Sequence, residues 1–93
     1  MKVLNLIVHE EMLEKYRDIY DNVLRRIREI NDSDNNTAFI PWDNMNFETA
    51  LKLSENYDAV VLFGGSRAFC LNKTFEILST FKIPVSYDIE GTI

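Results

Sequence analysis

The sequence predicts an α/β protein built on a small parallel sheet. Short apolar segments without helical period, at residues 3–8, 37–40, 58–63 and 83–87, alternate with segments of helical period. The clearest of them, residues 58–63, runs directly into Gly64-Gly65-Ser66, an abrupt strand end. Strands that alternate with helices need crossover connections, which cover both faces of a parallel sheet. Right-handed crossovers then favour four strands in the order 2-1-3-4, a truncated doubly wound sheet of Rossmann or flavodoxin type, in one domain spanning residues 1–93.

Each element has its own reason. Val3, Leu4, Leu6, Ile7 and Val8 make a nearly continuous apolar run, as in a strand buried on both faces. Met12, Leu13, Tyr16, Ile19, Tyr20, Val23, Leu24, Ile27 and Ile30 recur at i, i+3, i+4, i+7 spacing. That spacing predicts one amphipathic helix over residues 10–30, about 30 Å long. Glu10, Glu11 and Glu14 at its start and Arg25, Arg26 and Arg28 at its end complement the helix dipole. Residues 31–36 are turn formers and read as a polar loop.

Thr37-Ala38-Phe39-Ile40 is a second strand, stopped by Pro41. A shorter helix follows, capped by Asn44 or Asn46, with Phe47, Ala50, Leu51 and Tyr57 inward. The third strand, residues 58–63, leads to a helix over residues 67–81 carrying Leu71, Phe75, Leu78 and Phe81. Pro84 suits residues 83–87 to a sheet edge. Residues 88–93 read as a loose tail.

Composition narrows the function. Ninety-three residues with a 46% hydrophobic fraction suit one ordinary globular domain. Ten basic against 15 acidic side chains leave a net charge of −5, without the cationic surplus that direct nucleic-acid binding needs. Cys70, the single cysteine, can form neither an internal disulfide nor a cysteine-based zinc site. No apolar run approaches the roughly 20 residues of a membrane helix. The first residues lack the apolar core and cleavage site of a signal peptide, so a cytoplasmic protein is expected. The absence of glutamine and the frequent asparagines favour AT-rich codons, as in a phage or a low-GC bacterium. A phage protein would work in the host cytoplasm.

Ligands of open parallel sheets bind beyond the carboxyl ends of the strands, where the strand order switches. That rule gathers His9, Trp42, Asp43, Gly64, Gly65, Ser66, Arg67 and Tyr87 as the candidate site. Gly64-Gly65-Ser66-Arg67 closes a strand and opens a helix. Its N–H groups, the helix dipole, the Ser66 hydroxyl and the Arg67 fork suit a phosphate. The tetrapeptide is neither G-x-G-x-x-G nor a P-loop. Its other reading is a tight turn with Ser66 as N-cap and Arg67 in solvent. His9, the only histidine, stands beside Glu10 as a general base or simply as a helix start. Trp42 suits a nucleobase, or equally the cover of a core or interface. Asp43 suits ribose hydroxyls, and Tyr87 the rim. Cys70, between Phe69 and Leu71, reads as a buried helix cysteine. There is no G-x-S-x-G and no metal-ligand spacing, so neither metal, cofactor nor efficient catalysis is expected.

Ile40-Pro41, Asp58-Ala59-Val60-Val61-Leu62, Gly65-Ser66 and Ile83-Pro84-Val85 together make residues 39–87 resemble the small nucleoside 2-deoxyribosyltransferase-like proteins. The resemblance implies nucleoside or nucleotide binding at this end of the sheet, often in dimers or higher oligomers. Two departures stand out. The family has glycine after the first strand, where His9 and Glu10 stand here. Its catalytic glutamate lies in the helix after the Gly-Ser turn, where Glu76 is out of register and Thr74 lies nearer the position.

The expected function is therefore binding of a nucleotide-derived or other phosphorylated small molecule by a homo-oligomer, without efficient catalysis. The wide apolar stripe of the first helix motivates the oligomer. Such a protein would suit sequestration of a nucleotide signal in phage counter-defence. Two other classes stay open. One is an acidic inhibitor or DNA mimic presenting Asp32, Asp34, Asp43, Glu48, Glu55 and Asp58 to a host protein. The other is a deoxyribosyltransferase-like or N-glycosidase enzyme.

Overall fold

The computed structural model describes residues 2–9, 11–33 and 36–93. Four strands, β1 (Val3–His9), β2 (Thr37–Phe39), β3 (Ala59–Gly64) and β4 (Val85–Thr92), form one parallel sheet in the order β2-β1-β3-β4. Helices α1 (Glu11–Lys15) and α2 (Arg17–Ser33) cover one face, and α3 (Phe47–Asn56) and α4 (Cys70–Thr80) the other. This is the small doubly wound sheet that the alternation of strands and helices requires.

The two-residue period of the strands sorts their side chains into two cores. Leu4, Leu6, Val8, Val60 and Leu62 pack with Met45, Ala50, Leu71 and Leu78 beneath α3 and α4. Ile7 and Phe63 pack with Leu13, Leu24 and Ile27 beneath α1 and α2. Both faces are covered, which is why β1 and β3 read as nearly continuous apolar runs. They pair in register from Val3↔Ala59 to Ile7↔Phe63, then shift so that His9 lies opposite Gly64.

The single helix expected over residues 10–30 is two. The chain turns at Tyr16, whose carbonyl accepts from both Ile19 N (3.0 Å) and Tyr20 N (3.1 Å), and Tyr20 itself leaves helical values (φ −109°, ψ 24°). In a straight helix Tyr16 would share the inward side with Leu13, Leu24 and Ile27; the break instead leaves Tyr16 and Ile19 exposed. Helix α2 then runs on to Ser33, into the expected polar loop. Asn46, not Asn44, caps α3, its Oδ1 accepting from Thr49 N at 2.9 Å. Phe47 and Leu51, expected inward, are exposed, and Ala50 is the buried residue of α3.

The largest correction is at residues 88–93, which are not a loose tail. Tyr87 pairs with Leu62 and Thr92 with Gly64, so β4 bulges between them. Asp88 organises the bulge. Its Oδ1 accepts from Gly91 N (2.8 Å), its carbonyl from Thr92 Oγ1 (2.8 Å), and its carboxylate from Arg26 Nη2 (3.0 Å). The hydrogen bond that Arg26 donates to Asp88 raises the Arg26 pKa against the opposing effect of desolvation. A Cβ on Gly91 would stand 2.5 Å from Cδ2 of the fully buried Phe63. Gly91→Ala should therefore cost about 1–3 kcal/mol by overpacking, measured as a lower urea midpoint; an unchanged midpoint would mean that this segment does not pack on Phe63. Among the described residues, no helix is long and apolar enough to cross a membrane.

Candidate functional site

The expected site residues end up in three places. His9 ends β1 opposite Gly64, while its side chain and Glu10 lie outside what is described. Gly64 adopts φ 107°, a left-handed value that favours glycine, and turns the chain out of β3. The loop that follows is closed on itself. Arg67 N donates to the Ile93 carbonyl at 2.8 Å, and Ile93 N to the Gly65 carbonyl at 3.2 Å. Ala68 N donates to Ser66 Oγ (3.3 Å), and Phe69 N and Leu71 N both donate to the Ser66 carbonyl (3.2 and 3.0 Å).

These contacts take the Arg67 N–H out of the phosphate cradle expected from the tetrapeptide. The N–H groups of Arg67, Ala68, Phe69 and Leu71 already have acceptors within the chain. Helix α4 starts only at Cys70 and has no side-chain N-cap, so Ser66 shapes the approach to the helix rather than capping it. Exposed Arg67 reaches the Ile93 carbonyl through Nε at 3.5 Å.

Tyr87 is not a rim residue. It lies within β4 and stacks on Phe75, with centroids 5.3 Å apart and planes at 23°. Burial raises its pKa above 10.0, the Arg67 charge opposes the rise, and Glu76 adds to it. A folded-state pKa above the unfolded value means that unfolding releases the proton more readily at high pH. This contribution to stability is complete below pH 10.0 and is lost as pH rises through the folded pKa. Tyr87→Phe keeps the stacked ring and should flatten that alkaline loss in denaturant titrations above roughly pH 10; an equally steep decline in the variant would assign it elsewhere.

Trp42 opens the 3₁₀ turn that follows β2 at the carboxyl edge of the sheet. It is 39% exposed, and Lys73 Nζ stands 4.9 Å from its ring centroid. Among the described residues Trp42, Phe69, Cys70 and Lys73 line a cleft of about 300 Å³. Phe69 contributes a ring that is 76% exposed, and Cys70 is half-buried in the wall rather than buried in the helix. The i, i+4 spacing of Phe69 and Lys73 puts both on one side at the start of α4. Neither Phe69 nor Lys73 is among the residues that the sequence singles out, although that spacing beside a strand end is the available signal. Asp43, next to Trp42, is exposed.

A larger cleft of about 380 Å³ lies between α2 and β4, lined by Asn22, Arg25, Arg26, Glu29 and Glu90. Its arginines are paired, Arg25 with Asp21 (2.7 Å) and Arg26 with Asp88 and Glu29. It lies on the opposite helical layer from the Trp42 cleft. Among the described residues no cluster of three or more His, Cys, Asp or Glu side chains could hold a metal ion. Glu76 is exposed and accepts from Asn72 at 3.4 Å, whereas Thr74 is fully buried with its hydroxyl unpartnered. Comparisons with family models, with curated proteins and with solved structures give no match for this chain.

Proposed function

We propose that this protein binds a planar, anionic small molecule of nucleotide type in the cleft formed by Trp42, Phe69, Cys70 and Lys73. The observation that carries this reading is the exposed indole with an ammonium 4.9 Å from its centroid, in a cleft at the carboxyl edge of the sheet. A base stacks on the aromatic wall and Lys73 meets the phosphate. The exchange is favourable: a cation–π contact at an exposed site contributes about 0.5–1 kcal/mol, whereas a charge-assisted hydrogen bond contributes about 1.5–3 kcal/mol. Base stacking on an aromatic side chain adds about 1–3 kcal/mol. The resemblance of residues 39–87 to nucleoside 2-deoxyribosyltransferase-like proteins supports the same ligand class.

Binding without turnover is part of the proposal. Glu76, the nearest counterpart of that family's catalytic carboxylate, is exposed and does not line the cleft. A protein that holds such a ligand unchanged suits sequestration of a nucleotide signal, and the AT-favouring composition suits a phage source. Calorimetry with adenosine and adenosine 5′-monophosphate, alongside the other common bases, tests the site. Lys73→Ala should weaken the phosphorylated partner of each pair by roughly ten- to a hundredfold and the nucleoside little. Equal effects on both members, or no heat with any pair, would remove the reading.

A further inference from the structure

We infer that the outer face of α3 is a two-fold contact with a second copy of this chain. Asn46 caps the helix and Ala50 anchors it to the sheet, which leaves Phe47 61% and Leu51 44% exposed. Phe47 meets Phe81 edge-on at 6.1 Å, so the exposed stripe continues toward the end of α4. Beside it Glu48 and Lys52 form an i, i+4 pair at 3.7 Å, both largely in solvent.

Glu48 and Lys52 are spaced symmetrically about residue 50. When two copies of α3 pack antiparallel there, Glu48 of each faces Lys52 of the other. The Phe47 and Leu51 side chains of both then lie along the same seam. An isologous contact demands this self-complementarity, because one patch must serve as both surfaces. Of the wide stripe expected to form an oligomer on the first helix, Leu13, Leu24 and Ile27 are turned onto the sheet, while Tyr16 and Ile19 stay exposed. The apolar patch is small for a stable interface, so the dimer is weak, with a dissociation constant on the order of micromolar.

Sedimentation velocity over about 1 µM to 1 mM tests the surface. The wild-type chain should shift from monomer to dimer across that range. Leu51→Glu should abolish the shift, while Ile19→Glu, on the other helical layer, should leave it unchanged. Glu48→Lys or Lys52→Glu alone turns both cross-pairs into like-charge pairs and should weaken the dimer about tenfold, and the double reversal should restore it. All four residues substituted are exposed, and circular dichroism verifies each fold. The reversal arm stands even where Leu51→Glu fails to fold. A monomer throughout, a dimer indifferent to the single reversals, one not restored by the double reversal, or one dissolved by Ile19→Glu would overturn the proposal.

Discussion

Asp88→Ala is expected to lower the stability of the domain by about 2–3 kcal/mol, the largest effect of any single side-chain truncation away from the apolar core. Two losses combine. Arg26 loses the nearer of its two carboxylate partners, at 3.0 Å, and Gly91 N loses the acceptor that closes the bulge at 2.8 Å. Asp88 is mostly buried and Arg26 partly exposed, so the pair exceeds an exposed surface ion pair without reaching the cost of a fully buried one. Asp88→Asn keeps an acceptor for Gly91 and removes the charge, so it should cost about half as much. In a domain of this size each kcal/mol moves the melting temperature by roughly 4–8 °C, so the two variants are easily separated. A loss within about 0.5 kcal/mol for Asp88→Ala, as at an ordinary surface site, would mean that the bulge does not hold β4 to α2.

Trp42→Ala should produce the largest functional effect. Removing the indole takes away the stacking surface, worth about 1–3 kcal/mol, and leaves Lys73 without the ring that now positions it. The combined loss should weaken a nucleotide by roughly a hundredfold. Trp42 is partly exposed and begins a short 3₁₀ turn, so the fold should survive with a modest loss of stability. Trp42→Phe keeps an aromatic face and should recover much of the affinity. Arg67→Ala should alter it little, because Arg67 contacts Ile93 and does not line the cleft. The reverse ranking, with Arg67 dominant and Trp42 indifferent, would return the ligand to the Gly64–Arg67 loop.

The comparison of sequence and structure follows physical lines. Strands buried on both faces write themselves as apolar runs, so β1 and β3 were legible, and alternation with helices supplied the sheet order. Residues 88–93 were not legible, because their order depends on contacts distant in the chain. Asp88 is held by Arg26, 62 residues away, and Gly91 fits beneath Phe63. Helical period alone cannot say that Tyr16 will turn out of the first helix, or that Phe47 and Leu51 will face solvent. The Gly-Gly-Ser-Arg signal marked the right edge of the sheet, but local sequence could not reveal that Ile93 engages its N–H. Trp42 was legible as an aromatic at the carboxyl edge of the sheet from its place after a strand; that α4 brings Phe69 and Lys73 beside it was not.

The most direct measurement is an amide and indole NMR titration with a nucleoside 5′-monophosphate. Trp42 is the only tryptophan, so its indole N–H gives a single reporter inside the cleft. Binding in the Trp42 cleft requires saturable shifts at that indole and at the amides of Phe69, Cys70 and Lys73, with residues 64–67 moving less. Saturable shifts centred on residues 64–67 with a silent indole, or no saturable shifts with any base, would contradict it.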